Sequence, residues 1–145
     1  MEPLCGIPQD LLDIYLAAEY VVHMQGEDIV MKIGDLAPAA LGSHTWSLMT
    51  AQNPYSRPLC DRDNQALQQR LAQLLAVHNY RTLPATGRST DGQWQEASLL
   101  VMNISRDLAR TLGSRFRQNA VVFAEAGGPV ELLPCDKPQA DEKPE

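Results

Sequence analysis

The chain has 145 residues, a length typical of one domain, and its 44% hydrophobic and 21% charged residues are typical of a folded protein. Twelve basic residues against eighteen acidic ones give a net charge of −6. This acidic balance argues against a protein that coats nucleic acid, since that role needs a basic surface.

Targeting and metal signals are missing from the sequence. No run of about eighteen apolar residues predicts a membrane span, and residues 1–8 carry no basic residue of a secretory signal. Cys5, Cys60 and Cys135 form no CxxC pair, and the three histidines have no metal-ligand spacing. We therefore expect a cytoplasmic, bacterial-type protein without metal or cofactor.

The first half of the chain predicts one helix and three strands. An apolar face at helical spacing, β-branched runs and a Gly-containing turn are the signals used. In chain order, they predict a helix over 8–18, a hairpin of strands 19–24 and 29–33, one or two helical turns over 35–41, and a strand over 45–52 with Trp46 and Leu48 on one face.

The second half predicts two longer helices and further strands. Four leucines form the apolar stripe of the first helix, and Ser105 is the expected N-cap of the second. The predicted elements are a helix over 61–78, a short strand over 80–83, a loop over 84–93 that contains Gly87 and Gly92, a central strand over 94–103, a helix over 105–117 with Leu108, Leu112 and Phe116 buried, and strands 120–124 and 130–133.

These elements predict an α+β fold. We expect a mostly antiparallel sheet of about six strands with three to four helices, in a single domain over residues 1–133. Residues 134–145 contain three prolines and no apolar cluster, which predicts a disordered acidic tail.

The charge is unevenly distributed along the chain. Residues 57–117 contain nine arginines, no lysine and five acids, whereas both flanking segments are acidic. Arginine offers a planar fork for carboxylate or phosphate. Arg106, Arg110 and Arg117 are expected on one face of the last helix, either to bind an anion or, as is commoner, to pair with acids of the same chain.

The segment Thr50-Ala51-Gln52-Asn53-Pro54-Tyr55-Ser56 is the first candidate site. It follows a predicted strand and runs toward a helix, a position where ligands often bind. Asn53 and Ser56 can donate and accept hydrogen bonds, and Tyr55 offers a stacking face. A purely structural Asx-Pro turn is an equally good interpretation.

The segment Trp94-Gln95-Glu96-Ala97-Ser98 is the second candidate site. In a strand, Trp94, Glu96 and Ser98 point the same way. Burial would raise the pKa of Glu96 and suit it to be a general base. The alternative, which we favour, is a structural acid paired with an arginine.

Two further features carry weaker signals. Gln118 and Asn119 lie at a helix-to-strand junction, where they either contact a ligand or, preferably, cap the helix. Cys60 lies between Arg57 and Arg62 at a helix start, where a thiol can become reactive, although a plain apolar thiol is the commoner case.

Six blocks of this sequence together resemble a bacterial family known as domain-of-unknown-function family 3293. The resemblance covers about residues 12–133, and Gln52 and Ala97 stand where an aromatic residue and a second acid are more usual. The blocks are Tyr15 with Tyr20, Ile33-Gly34, the Thr50 to Ser56 segment, Asp63-Asn64, the Trp94 to Ser98 segment, and Phe116-Arg117-Gln118-Asn119-Ala120.

The resemblance implies no established activity, but it suggests that the polar blocks form one arrangement. We hypothesise that seven residues converge on one pocket, with Glu96 as the catalytic candidate. The ligand-binding candidates are Asn53, Ser56, Asn64, Trp94, Ser98 and Gln118.

Three functions follow from these observations. The preferred one is a small anionic or polar ligand bound in one pocket, with an arginine holding an anionic group; whether the protein is an enzyme stays open. The alternative is a protein-interaction or regulatory module without catalysis. Nucleic-acid binding through the arginine face comes third.

Overall fold

The computed structural model describes residues 7–136 and has an α+β fold, as expected, with a sheet of seven strands against the predicted total of about six. The elements of this part of the chain are α1 (Gln9–Ala17), β1 (Glu19–Met24), β2 (Glu27–Met31), β3 (Trp46–Met49), α2 (Asp61–Val77), β4 (Thr82–Arg88), β5 (Gln95–Met102), α3 (Arg106–Arg115), β6 (Ala120–Ala124) and β7 (Glu131–Pro134), with 3₁₀ turns at Ala39–Leu41 and Pro54–Ser56.

The seven strands form one curled antiparallel sheet in the order β2-β1-β4-β5-β3-β6-β7. Its two edges meet through the segments that follow β2 and precede β7. The Gly34 N–H donates to the Val130 carbonyl over 2.8 Å, and the Val130 N–H donates to the Asp35 carbonyl over 2.7 Å. The curled sheet therefore has an enclosed inner face and an outer face.

Each face of the sheet has its own hydrophobic core. Trp46, Leu48 and Leu100 are among the buried side chains of the inner face. Leu71 and Leu75 of α2 belong to the outer core, to which α3 also contributes. Because side chains alternate along a strand, β5 supplies both cores, which explains its apolar character on both faces.

The loop predicted over residues 84–93 is wrong in its first half, because residues 82–88 form β4. Pro84 and Gly87 favour a loop in isolation, but β4 pairs with β5 over its whole length. The pairing of β4 with β1 stops at Ala85. Pro84, which has no N–H to donate, therefore lies outside the ladder between these two strands.

Several other boundaries differ from the sequence prediction. β2 begins at Glu27, two residues early, and residues 35–41 form only the short 3₁₀ turn. Ser105 caps α3 as predicted, since its side chain accepts the Leu108 N–H over 3.1 Å. Leu108 itself is 36% exposed rather than buried, and α3 ends before Arg117.

The folded part extends past the predicted domain boundary at residue 133. Pro134 ends β7, and Cys135 is buried with its N–H donating to the Asn119 carbonyl over 3.0 Å. The remainder of the predicted tail, residues 137–145, lies outside the described residues. None of the helices within residues 7–136 is long and apolar enough to cross a membrane.

Candidate functional site

A cavity of about 50 Å³ lies at one end of the curled sheet. Six strands contribute to its wall, and because the sheet is antiparallel, the starts of β1, β5 and β6 meet the ends of β3, β4 and β7 there. Helix α1 adds Tyr15. The polar and aromatic residues of the lining are Tyr15, Tyr20, Thr50, Ser56, Trp94, Glu96, Ser98, Gln118 and Asn119.

Glu96 is the acidic residue of this lining, and its side chain is almost fully buried. Its Oε2 accepts a hydrogen bond from Asn53 Nδ2 over 2.9 Å. Burial raises the pKa of the Glu96 carboxyl, and hydrogen bonds from Asn53 and Trp94 offset only part of that effect. The prediction that an arginine pairs with Glu96 is wrong, because the side-chain amide of Asn53 contacts the carboxylate instead.

Asn64, on the first turn of α2, fixes the orientation of Asn53. The Asn64 Oδ1 accepts the Asn53 backbone N–H over 2.8 Å, and the Asn64 Nδ2 donates to the Asn53 Oδ1 over 2.8 Å. The Leu59 N–H also donates to this Oδ1, over 3.0 Å. With its Oδ1 engaged twice, the Asn53 side chain directs its Nδ2 to Glu96.

The segment that holds Asn53 has a strained backbone. Asn53, Tyr55 and Ser56 have φ angles of 47°, 52° and 61°, in the left-handed region that costs a non-glycine residue about 1–3 kcal/mol. The Tyr55 N–H donates to the Arg117 carbonyl over 2.7 Å, and Gln118 Nε2 donates to the Gln52 carbonyl over 3.0 Å. These contacts hold the segment against the junction of α3 and β6.

Tyr15 connects this segment to the aromatic side of the cavity. Its hydroxyl lies 2.5 Å from Ser56 Oγ and accepts a hydrogen bond from Asn119 Nδ2 over 3.0 Å. Its ring lies 6.5 Å from the Trp94 ring at a tilt of 56°. The Tyr20 hydroxyl donates to the Tyr15 carbonyl over 2.8 Å, and burial raises the pKa of Tyr20, so this phenol stays protonated.

The lining carries oxygen acceptors but no cationic side chain from residues 7–136. Asn119 is 4% exposed, and its Oδ1 has no hydrogen-bond partner within the described part of the chain. The Glu96 carboxylate adds oxygen acceptors, and no lysine, arginine or histidine of residues 7–136 lines the cavity. The arrangement is therefore suited to a group that brings N–H donors.

Five of the seven residues hypothesised to share a pocket line this cavity, namely Ser56, Trp94, Glu96, Ser98 and Gln118. The other two do not line it: Asn53 donates to Glu96, and Asn64 bonds Asn53, while both line a separate depression next to the start of α2. Gln118 also caps the end of α3, because its Nε2 lies 3.3 Å from the Phe116 carbonyl.

The sequence did not single out Thr50 or Gly87 as individual site residues, and Tyr15 and Tyr20 entered only through the resemblance. Gly87 lies in the range predicted as a loop, so its place in a strand beside an aromatic ring was not predictable from the sequence. A Cβ on Gly87 would lie 3.3 Å from Trp94 Cη2, so the glycine makes room for the indole.

The other sequence candidates lie outside the cavity. Arg106 contacts Glu131 over 3.0 and 3.1 Å and Glu125 over 3.1 Å, while Arg110 lies 3.6 Å from Asp136, which agrees with pairing within the chain. Cys60 is exposed beside the start of α2. No group of three or more metal-ligating side chains occurs among residues 7–136.

Comparison with known proteins identifies the family. The family model described as "Protein of unknown function (DUF3293)" matches residues 49–121. The chain belongs to this family. The matched segment holds Asn53, Glu96 and Gln118, whereas Tyr15 and Tyr20 precede it. No curated protein and no solved structure shows a significant match to the chain.

Proposed function

We propose that this member of the family is a small-molecule-binding protein whose cavity takes a polar group with hydrogen-bond donors, and that Glu96 binds those donors. The observation that carries the proposal is that Glu96, an acidic residue only 6% exposed, lines a cavity and has no cationic partner among residues 7–136. Burial of an ionised carboxyl is unfavourable unless hydrogen bonds or an opposite charge compensate for its lost hydration.

The size of the cavity limits the group that enters it. A volume of about 50 Å³ holds about four water-sized groups at roughly 10–15 Å³ each. An ammonium, guanidinium or primary amide head group fits this space, while the remainder of the ligand would stay outside. Larger ligands such as nucleotides need sites of roughly 300–1,000 Å³.

The charge of the lining favours a cationic or neutral group over an anionic one. An anion would face Glu96 with no lysine, arginine or histidine in the described lining to balance it. The arginine that we expected to hold an anionic group is therefore not part of this proposal. The Tyr15 and Trp94 rings would add cation–π attraction to a bound cation.

Titration of the protein with small probes tests the proposal. We would record amide and Trp94 indole NMR signals with guanidinium, methylammonium, acetamide and acetate at low millimolar concentration. The donor probes should shift cavity signals saturably, and acetate should not. Charged hydrogen bonds contribute about 1.5–3 kcal/mol, so Glu96→Gln should weaken guanidinium binding about tenfold or more.

Two variants serve as controls for this titration. Glu27→Gln removes an exposed carboxylate of β2 and should bind guanidinium as the wild type does. Gly87→Ala keeps every polar group but crowds Trp94, so it should also weaken binding. Equal binding by Glu96→Gln and wild type, or shifts spread over the whole surface, would contradict the proposal.

Proton transfer by Glu96 is a second candidate function, favoured by one observation. Burial raises the pKa of this carboxyl, and general acids and bases work best when their pKa approaches the working pH. A ligand held against Oε1 or Oε2 of Glu96 would then exchange a proton with the protein.

The free thiols bear on the location of the protein. We propose a reducing compartment such as the cytoplasm, because Cys60 and Cys135 are free thiols.

A further inference from the structure

A second concave site lies on the opposite face of the sheet. It is a groove of about 590 Å³ between α2 and the end of α3, and we call it the α2–α3 groove. Leu67, Leu74 and Phe116 give it apolar walls, while Arg70, Arg115 and Arg117 also line it.

The three arginines of the groove have no contacting countercharge in the part of the chain that the structure describes. Within residues 7–136, none of their side chains forms an ion pair or hydrogen bond, whereas Arg88, Arg106 and Arg110 each contact a carboxylate of the chain. The groove lining that residues 7–136 provide contains no acidic residue. Clefts lined by one sign of charge focus the field and concentrate ions of the opposite sign, even in a protein of net charge −6.

Two elements and one strained residue place these guanidinium groups. Arg70 lies on α2 between Leu67 and Leu74, at helical spacings that put all three on one face. Arg115 ends α3. Arg117 has φ 57°, and its carbonyl accepts the Tyr55 N–H, so the backbone that carries it is fixed in an unfavourable conformation.

We propose that the α2–α3 groove binds a small organic anion with two linked phosphate groups. Arginine forks bind phosphate oxygens in pairs, and a diphosphate carries enough negative charge to match three guanidinium groups. The apolar walls would contact the organic part. The volume of about 590 Å³ falls within the range of roughly 300–1,000 Å³ typical of small-molecule sites.

Calorimetric titration with inorganic pyrophosphate and with ADP tests the proposal. Both should bind saturably at one site, and ADP should bind more tightly than pyrophosphate because the apolar walls contact its organic part. Higher salt should weaken both, because the site is exposed. Arg115→Gln and Arg117→Gln should each weaken pyrophosphate binding about tenfold or more, the effect expected for loss of one charge-assisted hydrogen bond.

The matched control is Arg62→Gln, which removes an exposed arginine of α2 outside the groove and should bind pyrophosphate like the wild type. All variants alter exposed side chains, and unchanged thermal melting would show that they fold. Absence of pyrophosphate binding, or equal weakening by Arg62→Gln, would overturn the proposal. Binding of an acidic peptide or of DNA without binding of pyrophosphate or ADP would overturn it as well.

Discussion

The Glu96 carboxyl accepts a hydrogen bond from Asn53, a side chain distant in the sequence. Alternation along a strand predicts that Trp94, Glu96 and Ser98 share a face, and all three line the cavity. The amide partner of Glu96 was not predictable, because Asn53 reaches it through a left-handed backbone that a lone Asn-Pro sequence does not specify. Local patterns thus identify the residues, but tertiary contacts decide their partners.

The raised pKa of Glu96 makes the stability of the protein depend on pH. Below the pKa of glutamate in the unfolded chain, Glu96 is protonated in both states and imposes no charge penalty. As pH rises from that value through the higher folded pKa, the unfolded state ionises first and is stabilised. Relative to Glu96→Gln, the wild type should therefore lose stability over this window and remain at the lower level above it.

Urea unfolding at a series of pH values measures this effect. The quantity to plot is the difference in free energy of unfolding between wild type and Glu96→Gln, because other titrating groups cancel in it. The corresponding difference for Glu27→Gln, an exposed carboxyl, is the control. A difference that is flat with pH, or that rises with it, would show that burial does not penalise the ionised Glu96.

At the scale of the elements, β-branched runs were the most reliable signal. The predicted ranges 19–24 and 120–124 coincide with β1 and β6. The predicted strand over 80–83 overlaps only the first two residues of β4, because Pro84 and Gly87 have low strand propensity and hide the remainder of the strand. Pro84 lies beyond the β1 ladder, and Gly87 makes room for an indole. Both reasons exist only once the sheet has formed.

The packing of α3 on β6 depends on another glycine. A Cβ on Gly113 would collide with Cys135 Sγ and lie 2.9 Å from Val121 Cγ1. Overpacking of this kind costs about 1–3 kcal/mol, whereas replacing glycine in a helix gains about 1 kcal/mol. Gly113→Ala should therefore lower the free energy of unfolding by about 1 kcal/mol, measured by denaturant titration.

A second substitution separates this clash from a general effect on the helix. Cys135→Ala removes the sulfur, so the Gly113→Ala/Cys135→Ala double variant should lose less stability than the sum of the single variants. Thr111→Ala, at an exposed position of the same helix, should be close to neutral. Strict additivity of the two core substitutions would exclude the proposed contact.

At the scale of the whole molecule, the fold separates two chemistries that are mixed in the sequence. The arginine-rich segment 57–117 supplies both Glu96 for the cavity and the arginines of the α2–α3 groove. The sheet places the carboxyl on its inner face and the guanidinium groups on its outer side. Strand alternation and helix faces decide which side of the sheet each charged side chain occupies. The net charge of the chain or of a segment therefore cannot predict where the Glu96 carboxyl and the arginines lie.

The meeting of the two sheet edges makes one further prediction about the whole fold. The hydrogen bonds of Gly34 and Val130 join the ends of the sheet, and Val130 is buried in the inner core. Parting these edges would expose that core, so we expect it to require global unfolding. The amide hydrogens of Gly34 and Val130 should then exchange as slowly as those in the middle of the sheet, although neither residue lies in a strand.

Native-state hydrogen exchange with increasing urea tests this expectation. The free energy of opening at Gly34 and Val130 should match that at Leu100 of β5, close to the global value of about 5–15 kcal/mol for such domains. The Gly92 amide, which donates to the Ser89 carbonyl in an exposed turn, should exchange at a much lower opening energy. If Gly34 and Val130 behaved like Gly92, the edges would part without global unfolding, and the prediction would be wrong.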